Sequence, residues 1–402
     1  MGYGQRRRSA GAGFLTGMLR RPTAFVAAVV ISGMTVLSGQ TAAAAARAET
    51  VREAQWWLDA IHVPQAQSLA KGQGVTVAVI DTGVDAGHPD LNGAVLPGMS
   101  FSAPGSQAGR TDPDGHGTHM AGVIAARGGG TNNALGVAPA SSILPIATAS
   151  GSTMGSLADP VNYAVEHGAK IINMSVGRPP GAESPPGEVD AIADAVRKGV
   201  VVVISVGNKP EMNGPNTLTT IPGVVVVGGS SRAGTVSASS IAARQLALVA
   251  PADQIVGPAL RSKYTSGYSA ATGTSESTAM VSGVAALIWS KFPDLDANNV
   301  INRLIASAVD AGPPGRDDTY GFGIVDAQRA LTMDIPAVDS NPLGQPAAGA
   351  GNEPSGSGGY EPKTSGFPRA ALFICGAVVL LVVALLIGLV VWLATRRRAP
   401  RA

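Results

Sequence analysis

Four short apolar runs constrain the fold of this chain more than anything else in it. They are Val75–Ile80, Ile171–Val176, Val200–Val206 and Val224–Val227, and each is followed closely by glycine. None alternates apolar with polar residues, so none fits a strand with one face in water. Strands of this kind are covered on both faces, as in a parallel sheet sandwiched by helices. Between and after them lie segments of helical pattern at Gly115–Ala126, Pro160–His167, Glu188–Lys198, Thr274–Phe292 and Leu295–Ala308. Strands alternating with helices of this length predict an α/β domain of three layers built on a mostly parallel sheet.

The 402 residues outrun that pattern at both ends. Arg6-Arg7-Arg8 and Arg20-Arg21 precede an uncharged stretch over Thr23–Ala46, closed by Ala46-Arg47-Ala48. A basic region, an apolar region and a small-residue site, in that order, predict a secretory signal peptide over residues 1–48. An uncut signal anchor is the alternative for the same segment. Residues 49–74 then form an N-terminal extension, and residues 75–335 the α/β domain. From 336 to 368, 17 of 33 residues are Pro, Gly or Ser, a linker composition with a coil reach of roughly 30 Å.

Ala370–Ala394 carries no charge; at about 1.5 Å per residue it reaches roughly 37 Å, enough to cross a hydrocarbon core of about 30 Å. It reads as a C-terminal transmembrane helix. Arg396-Arg397-Arg398 follow it, against a lone Arg369 before it, which places the tail of residues 395–402 in the cytoplasm and the domain outside. The expected location is therefore the cell membrane, single-pass, with an extracytoplasmic domain.

Charge exposes the same partition. The formal net charge of +2 averages arginine-rich ends with a middle, residues 49–368, that holds 18 basic and 27 acidic side chains, a charge of −9. An acidic outward-facing protein is a poor binder of anionic polymers, and no nucleic-acid partner is expected. One cysteine, Cys375, excludes an internal disulfide framework and a cysteine-based zinc site. His62, His119 and His167 have no companions at metal-ligand spacing, so no metal and no cofactor is expected.

Chemistry-bearing residues stand where strands end and helices begin, the places where open α/β sheets collect function. Asp81 ends the first apolar run, His116 opens a helix in Asp114–Gly122, and Ser275 opens another after Gly273-Thr274. An Asp–His–Ser set can activate a hydroxyl: histidine takes the serine proton, while aspartate fixes the imidazole tautomer and stabilises the imidazolium. Attack on a carbonyl also develops an oxyanion. Asn208, just after a buried run, and the Ser275 backbone N–H, at a helix N-terminus, are candidate donors. Each residue alone fits a turn or a helix cap. The combination in the chain order Asp, His, Ser is far more specific.

Over about Lys71–Leu331 the chain resembles the subtilisin-like serine proteases, the subtilases. The matching stretches are Val77–Asp85 (VAVIDTGVD), His88–Leu91, Asp114–Ala126 (DGHGTHMAGVIAA), Gly136–Pro139, Ile172–Gly177, Ser205–Asn208, Gly273–Gly283 (GTSESTAMVSG) and Tyr320–Leu331. The resemblance implies a subtilisin-like fold, a serine endopeptidase acting on polypeptides, and catalytic Asp81, His116 and Ser275 with Asn208 in the oxyanion hole. It also implies that Ser175, Val176 and Gly177 form the edge that pairs with substrate backbone, and that His88 is a structural turn residue. The whole layout resembles the mycosins, membrane-anchored subtilases associated with type VII secretion, and implies a type VII membrane complex as partner. The segment Ala54–Asp59 resembles the extension that wraps the mycosin catalytic domain, and residues 49–74 are too few for a folded pro-domain.

The chain also departs from the pattern. It cannot form the internal disulfides of mycobacterial mycosins, Ala279 stands where many subtilases have proline, and Glu276 replaces a common apolar residue. Glu276 reads either as a solvated first-turn acid, favourable near a positive helix end, or as an acid facing the leaving-group side of the cleft. Beside the enzyme reading stand two others: a structural component of a secretion complex with dispensable proteolysis, and a general surface subtilase.

Overall fold

The computed structural model describes residues 49–102, 109–149 and 154–347. Seven parallel strands form the central sheet in the order β2-β3-β1-β4-β5-β6-β7: β1 Thr76–Asp81, β2 Met99–Ser100, β3 Ser142–Ala147, β4 Ile171–Met174, β5 Val201–Ser205, β6 Val225–Ser230 and β7 Leu246–Pro251. An antiparallel pair, β8 Ile255–Pro258 and β9 Tyr268–Ala271, stands apart.

Successive strand residues point to opposite faces, and the burial follows that rule. Val77, Val79, Ile143, Ile171, Val201 and Val203 pack with α4 (His116–Ala125), α7 (Thr274–Lys291), α8 (Ala297–Ala306) and α9 (Ala327–Thr332). Ala78, Ile80, Leu144, Ile146, Ile172 and Val202 pack with α5 (Ala158–Glu166) and α6 (Glu188–Arg197). Strands buried on both sides therefore need apolar residues at every position, which is why those runs never alternate. The expected three-layer α/β fold with a mostly parallel sheet is the one observed.

The sheet grows outward from β1 in both directions, so β1 and its neighbours β3 and β4 straddle a topological switch point, where open sheets leave a crevice at the carboxyl ends of the strands. Asp81 ends β1, and Ser175 follows β4 directly beside it. α7 runs through the middle of its layer with Thr274–Trp289 buried, a fit for side chains that are mostly small or apolar, with Glu276 the one charged exception. Its N-terminus opens at the same crevice.

Three short helices of the extension, α1 Val51–Ala54, α2 Trp56–Ala60 and α3 Val63–Gln67, are part of the domain rather than an appendage. Trp57, Leu58, Ile61 and Val63 are fully buried in the α4/α7 layer. The segment expected to be a linker is docked as far as it is described: Asn341 donates to the Gly223 carbonyl, Gly223 N–H to the Leu343 carbonyl, and Asn302 to the Pro336 carbonyl. The expected signal peptide, the membrane helix at 370–394 and the basic tail lie outside the described residues. Among the described residues no helix is long and apolar enough to cross a membrane.

Candidate active site

Asp81 is fully buried, while about a third of the His116 side chain faces solvent. The Asp81 Oδ1 accepts from the Thr82 N–H at 2.8 Å and lies 2.7 Å from His116 Nδ1. An ionised carboxylate only accepts, so the imidazole proton sits on Nδ1. Nε2 is left as the basic nitrogen, the tautomer that general-base catalysis requires. The helix carrying His116 comes this close because residue 117 has no side chain: a β-carbon at Gly117 would stand 2.1 Å from the Gly83 carbonyl oxygen and 3.1 Å from Asp81 Cβ.

The loop before α4 is set by Asp112. Its carboxylate accepts from the Thr82 hydroxyl, the N–H groups of Asp114, Gly115 and Thr118, and the Thr118 hydroxyl, at 2.6–3.0 Å. Thr82 in turn accepts from the Gly117 N–H at 3.0 Å. Asp112 and Thr82 thereby lock β1 to α4. Sequence reasoning passed over both, because a single aspartate in a Gly-rich loop carries no periodic signal.

Ser275 lies in the first turn of α7, 8% exposed. Its hydroxyl donates to the Ser175 carbonyl at 3.4 Å, and the Ser175 hydroxyl donates to the Ser275 carbonyl at 3.1 Å. Among the described residues no hydrogen bond joins Ser275 to His116. A 3.4 Å bond is long and weak, so it holds the hydroxyl only loosely. The pairing is backed by a buried chain in which Ser282 donates to Asn173 Oδ1 and Asn173 Nδ2 donates to the Ser175 hydroxyl. A lone asparagine inside the apolar run Ile171–Met174 was the available signal for this support.

Asn208 is oriented by its oxygen. Oδ1 accepts the Thr274 N–H at 2.8 Å and the Thr274 hydroxyl at 3.0 Å. Its Nδ2 then has no protein acceptor among the described residues and lies where a β-carbon on Gly273 would be 3.1 Å away. Val176 and Gly177 line, with Asp81, His116 and Ser175, a cavity of about 320 Å³ on one side of the imidazole. On the other side a cavity of about 220 Å³ is lined by His116, His119, Lys263, Tyr264 and Glu276. The larger cavity near Arg244 and Arg316, about 400 Å³, touches none of these groups.

Electrostatics bind the site together. Burial pulls the His116 pKa down, but the Asp81 charge and hydrogen bond, followed by the charges of Glu276 and Asp114, outweigh it and raise the pKa to about 9. Burial pushes Glu276 up to about 7 against the opposing pull of His116. Glu276 is 3% exposed, so the solvated first-turn reading of this acid does not hold.

The remaining histidines are scattered. His88 is buried in a turn, accepting the Asp90 N–H on Nδ1 and donating from Nε2 to the Gly267 carbonyl, as expected of a structural residue. His62 pairs with Asp326 at 2.8 Å. His167 sits 2.9 Å from the Tyr163 carbonyl. His119, one turn along the helix from His116, makes no hydrogen bond of good geometry at either ring nitrogen; burial and the His116 charge outweigh weak approaches to the Pro258 and Ile255 backbone and hold its pKa near 4. Among the described residues no group of His, Cys, Asp or Glu side chains gathers to hold a metal.

Comparison with known proteins agrees with this layout. Residues 72–323 match the model of the subtilase family. Subtilisin DY of Bacillus licheniformis is 37% identical over 274 residues, 66% of this chain and 93% of that one. Mycosin-1 of Mycobacterium tuberculosis is 34% identical over 337 residues, 70% of this chain and 74% of the relative. Among solved structures, the MycP3 protease from the type VII (ESX-3) secretion system superposes with a TM-score of 0.59 at 30% identity, covering 69% of this chain and 88% of that chain.

Proposed function

The chain belongs to the subtilase family and is a subtilisin-like serine endopeptidase close to the mycosins; on that premise we propose a membrane-anchored, extracytoplasmic enzyme of mycosin type, working beside a type VII secretion complex. The observation that carries the catalytic reading is the 2.7 Å bond between His116 Nδ1 and the buried Asp81. It leaves Nε2 free at the crevice where α7 presents Ser275.

In the proposed reaction Ser275 Oγ attacks the scissile carbonyl carbon and its proton passes to His116 Nε2. Asn208 Nδ2 and the Ser275 N–H donate to the oxyanion. The carbon–nitrogen bond then breaks, His116 delivers the proton to the leaving nitrogen, and the acyl group remains on Ser275 until water, deprotonated by the same imidazole, releases it. Substrate backbone pairs along Ser175–Gly177. The membrane placement rests on the uncharged Ala370–Ala394 and its arginine flank, and the secretion partner on the likeness to mycosins.

Fluorophosphonate labelling of the purified protein tests the reading. A single adduct at Ser275, lost in Ser275→Ala and strongly slowed in His116→Ala, is expected. No adduct on the wild-type protein would sink the nucleophile assignment.

A further inference from the structure

The second cavity beside His116, the one not lined by Ser175–Gly177, contains a buried carboxyl whose main charged neighbour is His116 itself, and that partner is lost when His116 takes its neutral, active form. Glu276 lines it at 3% exposure, and beyond its own residue the carboxylate has no hydrogen-bond or ion-pair partner among the described residues. Lys263 lines the same cavity, but its ammonium is engaged with the Asp114 carbonyl at 2.5 Å and forms no ion pair with Glu276. Asp114 adds a second acidic side chain to the wall. Holding a carboxylate out of water without a salt-bridge partner is unfavourable, so the ionised form of Glu276 favours a cation supplied from outside.

Position identifies that cation. A β-carbon on Gly273 would lie 3.1 Å from both Glu276 Oε2 and Asn208 Nδ2, so the carboxylate lies beside the proposed oxyanion donor, next to where the scissile bond would rest. Substrate paired along Ser175–Gly177 places its acyl half over the cavity lined by Asp81, Val176 and Gly177. The leaving half then crosses His116 into the cavity of Glu276. We propose that Glu276 selects a lysine or arginine as the residue immediately after the cut, binding its side chain in the 220 Å³ cavity. The proposal rests on the endopeptidase reading and adds a substrate class to it.

The test uses the full-length protein in detergent with quenched fluorescent peptides that vary only at the residue after the cut, alongside fluorophosphonate labelling of each sample. The expected result is a kcat/KM for Lys and Arg at least about tenfold above that for Leu, Ala or Glu. In Glu276→Gln that ratio falls to about threefold or less, and in Glu276→Lys acidic residues become the better ones, with Ser275 still labelled in both. A labelled wild-type enzyme with a flat profile, or a basic preference that survives in labelled Glu276→Gln, overturns the proposal alone. A wild-type enzyme that neither labels nor cleaves overturns the nucleophile assignment and the proposal with it.

Discussion

His116 has to lose a proton before it can accept one from Ser275, so its pKa sets where the enzyme works. Burial opposes the raised value, and Asp81 first, then Glu276 and Asp114, hold the imidazolium in place, giving about 9. Of the other ionisable groups facing it, His119 is neutral near pH 7 and Lys263 is turned to the Asp114 carbonyl. The active, neutral form gains population as pH rises through 9, so kcat/KM climbs about tenfold per unit below that point. Removing the Glu276 charge lowers the His116 pKa, and Glu276→Gln moves the acidic limb to lower pH. A pH–rate profile with the limb unmoved would contradict this coupling. At Asn208 two roles separate cleanly. Asn208→Ala is expected to lower kcat about 10²–10³-fold with KM little changed. Asn208→Asp keeps an acceptor for Thr274 yet removes the donor; if steady-state kinetics of Asn208→Asp match the wild type, the amide is only a brace.

At the scale of elements, the edge offered to substrate is held by a buried ion pair that no motif announced. Glu188, fully buried at the start of α6, accepts from Arg178 Nε at 2.6 Å, from Arg178 Nη2 at 2.9 Å and from the Leu157 N–H at 3.0 Å. Arg178 follows Gly177 directly, and its own N–H is fixed by Asn216 at 3.1 Å. The Arg178 side chain is only 11% exposed, so Glu188→Ala strands a nearly buried guanidinium and is expected to lower stability by about 3–5 kcal/mol. Urea unfolding measures that loss, and a raised KM at retained labelling rate marks the loosened edge; neither change would remove the pair from this role. The strands β1, β4, β5 and β6 were legible because burial on both faces writes a continuous apolar run. β3 was not, because Pro145 interrupts its pattern although the strand pairs with β1 throughout. α1–α3 escaped for another reason: helices of four or five residues show no full turn of periodicity. At the site, Asp81, His116 and Ser275 were legible as candidates from their places at strand ends and helix starts, their chain order and the family motifs around them. Asp112, Arg178 and Glu188 act through bonds between distant segments, which spacing does not encode.

Across the whole molecule the extension is woven into the catalytic domain at several places. Gln55 exchanges hydrogen bonds with the backbone of Leu135, accepting at 2.9 Å and donating at 3.0 Å. Gln67 donates to the carbonyls of Gly136 and Val137, the Ile61 carbonyl accepts from the Ala327 N–H, and His62 meets Asp326 at the start of α9. Trp57 is fully buried and donates from Nε1 to the Val256 carbonyl at 3.3 Å. None of these residues lines either cavity beside His116. The extension therefore behaves as structure and leaves the cleft uncovered, unlike a segment removed to unmask a site. Trp57→Ala empties a filled position in the α4/α7 layer and is expected to lower stability by about 3–5 kcal/mol. A chain beginning at residue 75 is expected not to fold, whereas one beginning at residue 49 unfolds in a single transition and labels at Ser275 as fast as the longer protein. Urea denaturation of the three proteins decides it: a chain from residue 75 as stable as the one from residue 49 would mean the extension only lies on the surface.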